Sequence, residues 1–131
     1  MLFTTKTEYG LKALKILAQT GRNKQTSLSD IAHQTGLSLS YLEQIFAKLK
    51  GAKIIKSTKG TDGGYSLSRN ANQINLYEII LALEGQTAVN NCMAGGKLSC
   101  SGNCLTRKVW AEIQSDMEKT LKKYTLKNLI Q

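Results

Sequence analysis

Residues 28–47, LSDIAHQTGLSLSYLEQIFA, constrain the fold more than any other stretch of this chain. Ala32 is small where two helices must approach closely, and Gly36, four residues on, suits the positive φ that ends a helix and begins a tight turn. Ile31, Leu37, Leu42 and Ile45 supply a buried side for the helix pair. Asp30 and Glu43 lie three residues after Ser27 and Ser40. Each helix is therefore expected to open with a capping box, the second beginning near Ser40. This pattern predicts a helix-turn-helix, the arrangement that sets one helix into the major groove of DNA.

Eighteen Lys and Arg against nine Asp and Glu leave a net charge of +9, which points to a polyanionic partner. The start, MLFTTKTEYG, lacks the apolar run of a signal peptide. No segment approaches the roughly 18 apolar residues needed to cross a bilayer, so a cytoplasmic protein with reduced thiols is expected. The length fits one domain extended by a helix.

Upstream, Leu11, Leu14, Ile16, Leu17 and Ala18 predict an amphipathic helix over 7–20, with a polar connection from Arg22 to Thr26. Downstream, β-prone segments at 54–58 and 65–68 flank a loop with three glycines, predicting a hairpin; after a helix-turn-helix this is a wing. Asn75, with Glu78 three residues on, opens a further helix running to Gly85. Residues 86–104 have loop chemistry and contain Cys92, Cys100 and Cys104. From Leu105 to Tyr124 the helical pattern returns, with Leu105, Val109, Ile113 and Met117 at steps of four. Such a helix is about 30 Å long, more than a small domain covers, so a second subunit is expected to cover it. The expected architecture is mostly α with a β-hairpin wing: a winged helix-turn-helix over 1–85, a cysteine-bearing loop over 86–104, and a dimerisation helix with its tail over 105–131.

Lys48, Lys50, Lys53, Lys56 and Lys59 fall within twelve residues without an intervening acid. Taken alone, such a run reads as a solvated face. Beside a groove-reading motif it reads as backbone-contacting charge. It crosses a helix end and a hairpin, which disfavours a membrane-surface helix. An RNA-binding module is the weaker alternative, since five Tyr, two Phe and one Trp give no visible stacking platform. The single histidine, His33, has no nucleophile motif nearby, so an enzyme is not expected.

The segments S-L-S-Y-L-E-Q-I-F at 38–46, K-G-x-x-G-G-Y at 59–65 and T-x-x-x-Y-G-L-x-A-L at 5–14, followed by three cysteines before a long helix, resemble the winged-helix regulators typified by IscR, NsrR and CymR. The resemblance implies a homodimer whose long helices cross, with recognition helices on a palindromic operator in double-stranded DNA and wings in the flanking minor groove. It makes Ser38, Ser40, Tyr41, Glu43 and Gln44 the groove-facing set, with Lys59 the basic residue of the wing. Glutamine can bond bidentately to adenine and a carboxylate can accept from cytosine N4, while serine serves base or phosphate. Glu43 also reads as a capping-box residue that faces the helix end. Lys48 and Lys56, from the lysine run, and the wing residues Gly60, Gly63, Gly64 and Tyr65 complete the candidate DNA site, the glycines chiefly by shaping the turn.

Three thiolates are soft ligands suited to an iron–sulfur cluster, and cluster-binding relatives use such a trio. The spacing here, C-x₇-C-x₃-C, is uneven, and no histidine follows the third cysteine. Other relatives draw an acid from the start of the first helix, and Glu8 occupies that place. The expected ligand set is Cys92, Cys100, Cys104 and Glu8 of the partner subunit, around a [2Fe–2S] or [4Fe–4S] cluster. The alternatives are a zinc site, or cluster-free thiols in a regulator that answers to a metabolite, thiol oxidation or a protein partner.

Overall fold

The computed structural model describes residues 3–60, 63–90, 93 and 105–130. Thr4, in extended conformation, accepts the Lys6 N–H through its hydroxyl and opens α1 (Thr5–Thr20), two residues earlier than the apolar periodicity indicates. Ser27 caps α2 (Leu28–Thr35) by accepting from the Asp30 N–H, and α2 ends at Gly36 with φ +75°. The third helix, α3 (Leu39–Gly51), is capped by Ser38, whose hydroxyl accepts the Tyr41 N–H. The expected Ser40–Glu43 box is thus corrected: with Ser38 O accepting the Leu42 N–H, the helix has begun before Ser40.

Strands β1 (Ile55–Thr58) and β2 (Gly64–Leu67) pair antiparallel with Ile55 opposite Leu67 and Thr58 opposite Gly64. Thr26 extends this hairpin, exchanging backbone hydrogen bonds of 2.8 and 2.9 Å with Tyr65. A 3₁₀ turn (Ala71–Gln73) leads to α4 (Leu76–Glu84), where Asn75 accepts the Glu78 N–H at 2.9 Å. The Glu78 carboxylate pairs with Arg69. Last come α5 (Leu105–Lys123) and a short α6 (Leu126–Ile130).

The core is one cluster. Leu14 and Leu17 of α1, Ile31 of α2, and Leu42, Phe46 and Leu49 of α3 are buried with Ile79 and Leu83 of α4 and Leu126 of α6. The wing contributes Ile55 and Leu67 to the same cluster, so the hairpin is anchored to the helices at its base. This is the mostly helical, winged helix-turn-helix architecture expected from the pattern of residues.

Gly10 sets the spacing of α1 and α4. A Cβ built there would lie 2.4 Å from a methyl of fully buried Leu83. Gly10→Ala should therefore lower stability by about 1 kcal/mol, overpacking outweighing the helix-propensity gain. A thermal melt measures it, and an unchanged or higher midpoint would show that Leu83 has room to move.

Candidate nucleic-acid interface

The third helix has two unlike sides. Leu42, Ile45, Phe46 and Leu49 are buried, whereas Ser40, Glu43, Gln44 and Ala47 are exposed. These four fall at i, i+3, i+4 and i+7, an open stripe along the helix, with Leu39, Lys48 and Lys50 exposed beside it. Ser38, also exposed, stands at its N-terminal end. Because Ser38 is the cap, Glu43 has no capping duty and presents its carboxylate mid-helix.

Tyr41 is half-buried. Its ring meets Tyr9 edge-on at 5.9 Å between centroids and packs against the core. It steadies the base of the stripe more than it extends it. Lys48 is also distinct from its neighbours, its ammonium donating to the Leu83 carbonyl of α4 at 3.3 Å.

In the wing, Lys56 and Lys59 are exposed, as are Ser57, Thr58 and Gly60. Lys50 and Lys53, outside the candidate set although inside the lysine run, are equally exposed. Lys53 takes the left-handed conformation, φ +61°, and leads from α3 into β1. The glycines shape the turn: a Cβ on Gly63 would stand 2.3 Å from the Thr58 carbonyl oxygen, and one on Gly64 2.6 Å from that of Thr26. These are backbone atoms that cannot step aside. Tyr65 is turned inward, its ring edge-on to Phe46 at 4.8 Å. It holds the wing to α3 rather than offering its ring outward.

Cys92, Cys100 and Cys104 lie outside the described residues. Among the described residues, no group of three or more His, Cys, Asp and Glu could hold a metal ion. Glu8 is on the first turn of α1, its side chain 62 % exposed and its carboxylate 3.6 Å from the Lys12 ammonium. The chain entering the cysteine-bearing segment is fixed at its root. Thr87 is buried, Gln114 of α5 donates to its carbonyl at 2.9 Å, and the Val89 N–H donates to Gln114 Oε1 at 2.7 Å.

Sequence reasoning passed over the contact that joins this root to α1. Glu84 Oε2 accepts the Thr4 N–H at 2.8 Å and the Thr7 hydroxyl at 2.9 Å, while the Thr4 hydroxyl lies 2.7 and 2.8 Å from the two carboxylate oxygens. Burial pushes the Glu84 carboxyl up. The Thr4 and Thr7 hydrogen bonds and the nearby Lys6 charge outweigh it and hold the group below its ordinary value. One signal was available. An acid in the last turn of a helix opposes the helix dipole and calls for a partner elsewhere.

Residues 3–131 match the Rrf2 family, described as iron-dependent transcriptional regulator. The helix-turn-helix-type transcriptional regulator IscR of Vibrio campbellii is 32% identical over 130 residues, covering 99% of this chain and 77% of that protein. Among solved structures, CymR, the global cysteine regulator of B. subtilis, superposes with a TM-score of 0.82 at 31% identity, over 98% of this chain and 95% of its own. IscR of T. potens superposes at 0.77 with 34% identity, over 98% and 85%. These proteins are regulators and not enzymes, in keeping with the absence of a catalytic motif. No helix among the described residues is long and apolar enough to cross a membrane.

Proposed function

The chain belongs to the Rrf2 family of winged-helix transcriptional regulators, and from that premise we propose that it is a cytoplasmic, homodimeric repressor that reads a palindromic operator and senses through an iron–sulfur cluster. The observation that carries the DNA reading is the open stripe of Ser40, Glu43 and Gln44 on α3, next to the lysine-bearing wing. Ser38, Ser40, Glu43 and Gln44 address base edges and nearby phosphates, and Lys56 and Lys59 take the backbone. Two such helices one turn of DNA apart, about 34 Å, define the half-site spacing.

The sensor reading rests on the cysteine trio and on the exposure of Glu8. The ligands are Cys92, Cys100, Cys104 and the partner subunit's Glu8, with residues 1–85, 86–104 and 105–131 acting as reader, sensor and dimerisation arm. When bound, the cluster supplies a link that oxygen, nitric oxide or iron shortage removes. Glu8 has a competing partner in Lys12, so its acceptance by a cluster requires that ion pair to open; at an exposed surface such a pair is worth under about 1 kcal/mol.

Two measurements test this. Anaerobically purified protein should be brown, with iron and sulfide in equal amounts; a colourless, iron-free sample would move the signal to thiol oxidation, a metabolite or a protein partner. For the DNA site, an operator selected from a random duplex pool provides the probe. Gln44→Ala should lower discrimination between operator and random duplex by about 1–3 kcal/mol while leaving random-duplex binding nearly untouched. Lys56→Ala should weaken both and reduce the salt dependence by about one phosphate contact per site. Equal losses on both duplexes from both changes would overturn the groove assignment.

A further inference from the structure

The lysine run invites one role for all its members, contact with phosphate. Lys48 departs from that role. Its ammonium donates to Leu83 O, in the last turn of α4, where carbonyls lack partners within the helix and a cation is favoured. The next residue, Glu84, accepts from the Thr4 N–H and from the hydroxyls of Thr4 and Thr7 at the opening of α1, where an anion is favoured. Consecutive residues of α4 are thereby tied to α3 on one side and α1 on the other. Gly85, φ +81°, then ends the helix, and the chain proceeds to Thr87 and the root held by Gln114.

We infer that Lys48 and Glu84 are positioning residues for operator recognition. They form a joint at the end of α4 that fixes the direction of the recognition helix relative to α1 and to the segment beginning at residue 86, and neither contacts DNA. The inference rests on the reading that α3 addresses the operator. A displacement of the segment after Gly85 acts on the end of α4, and through the Lys48 hydrogen bond to core-buried Leu83 on the last turn of α3.

The test uses the full-length chain and the selected operator, with Gln44→Ala measured in parallel. Lys48→Met keeps the aliphatic stem and removes the ammonium. As a positioning residue it should weaken operator binding at least fivefold, with random-duplex affinity and the slope of log affinity against log salt unchanged. A slope shallower by about 0.9 per site, with equal loss on random duplex, would make Lys48 a phosphate ligand and overturn the joint. So would wild-type operator binding.

Glu84→Gln separates positioning from charge by sign. Removing a negative charge from a basic protein tightens DNA binding if long-range attraction alone matters. The joint predicts that the variant, folded by circular dichroism, binds the operator several-fold more weakly. Thr4→Ala, which changes no charge, should weaken binding in the same direction, and combining the two should cost little beyond the larger single effect. Tighter or unaltered binding by Glu84→Gln overturns the inference. Failure of Gln44→Ala to affect discrimination would overturn the groove reading and the joint together, whereas a normal Lys48→Met beside a defective Gln44→Ala overturns the joint alone.

Discussion

Leu126→Ala is expected to cost about 2–5 kcal/mol of folding stability, a large share of the 5–15 kcal/mol typical of a domain. Leu126 is fully buried in the common core. Its N–H donates to Ile74 O at 2.8 Å, and the Leu76 N–H donates to Tyr124 O at 2.9 Å, so two backbone bonds hold the entry to α6 against the start of α4. α6 also packs on α1, which lets a five-residue helix persist although it is too short to be stable alone. The deletion leaves a cavity walled by helices that cannot all close upon it. Leu129, on the same helix but 40% exposed, provides the control: Leu129→Ala should change stability by only about 0.5 kcal/mol. Denaturant midpoints at unchanged m-value measure both, and comparable small effects would mean that α6 is not docked.

That contrast shows where sequence reasoning runs out. The helix pair was legible because its apolar residues repeat at helical spacing and because Gly36 and Ser27 do locally what their chemistry favours. The wing was legible from its glycines. Leu126 was not, since TLKNLI offers too few turns for a periodic signal, and its burial depends on Ile74 and α1, far away in sequence.

The start of α3 fails differently. Ser38 and Ser40 both present a cap hydroxyl, and Glu43 lends a box only to Ser40. Ser38 wins because its carbonyl and hydroxyl both find helical N–H donors directly after the Gly36 turn. For the site this matters, since it removes the competing reading of Glu43. Of the residues placed in the DNA site, Tyr41 and Tyr65 look inward because aromatic rings gain more from burial against Tyr9 and Phe46 than from solvent. Thr4 and Glu84 meet across 80 residues of chain, a separation that no local pattern encodes.

The outer side of α5 carries the second large expected effect. Leu105, Val109 and Ile113 recur at steps of four, with Trp110 beside them, and their exposures are 77%, 57%, 42% and 39%. Meanwhile Leu121 and the polar pair Gln114 and Glu118 meet the rest of the protomer. A row of this kind on a charged helix is the face that the proposed homodimer would bury. Each aliphatic side chain taken from water contributes about 1.5–3 kcal/mol. Val109→Glu with Ile113→Glu removes four such burials per dimer and puts four carboxylates in the interface. The lost burial, about 3 kcal/mol for four side chains already half covered, and the desolvation of four carboxylates, at least about 1 kcal/mol each, together move a nanomolar dimer beyond 10 μM. Monomers by sedimentation are therefore expected at micromolar concentration. Operator affinity should fall at least 100-fold, because two half-site contacts then no longer reinforce each other. Trp110 is the chain's single tryptophan and lies on this face, so its emission should shift to the red as the interface is lost. A double variant that remains dimeric with unshifted emission would place the interface elsewhere, and the geometry of the two recognition helices would have to be derived from that other face.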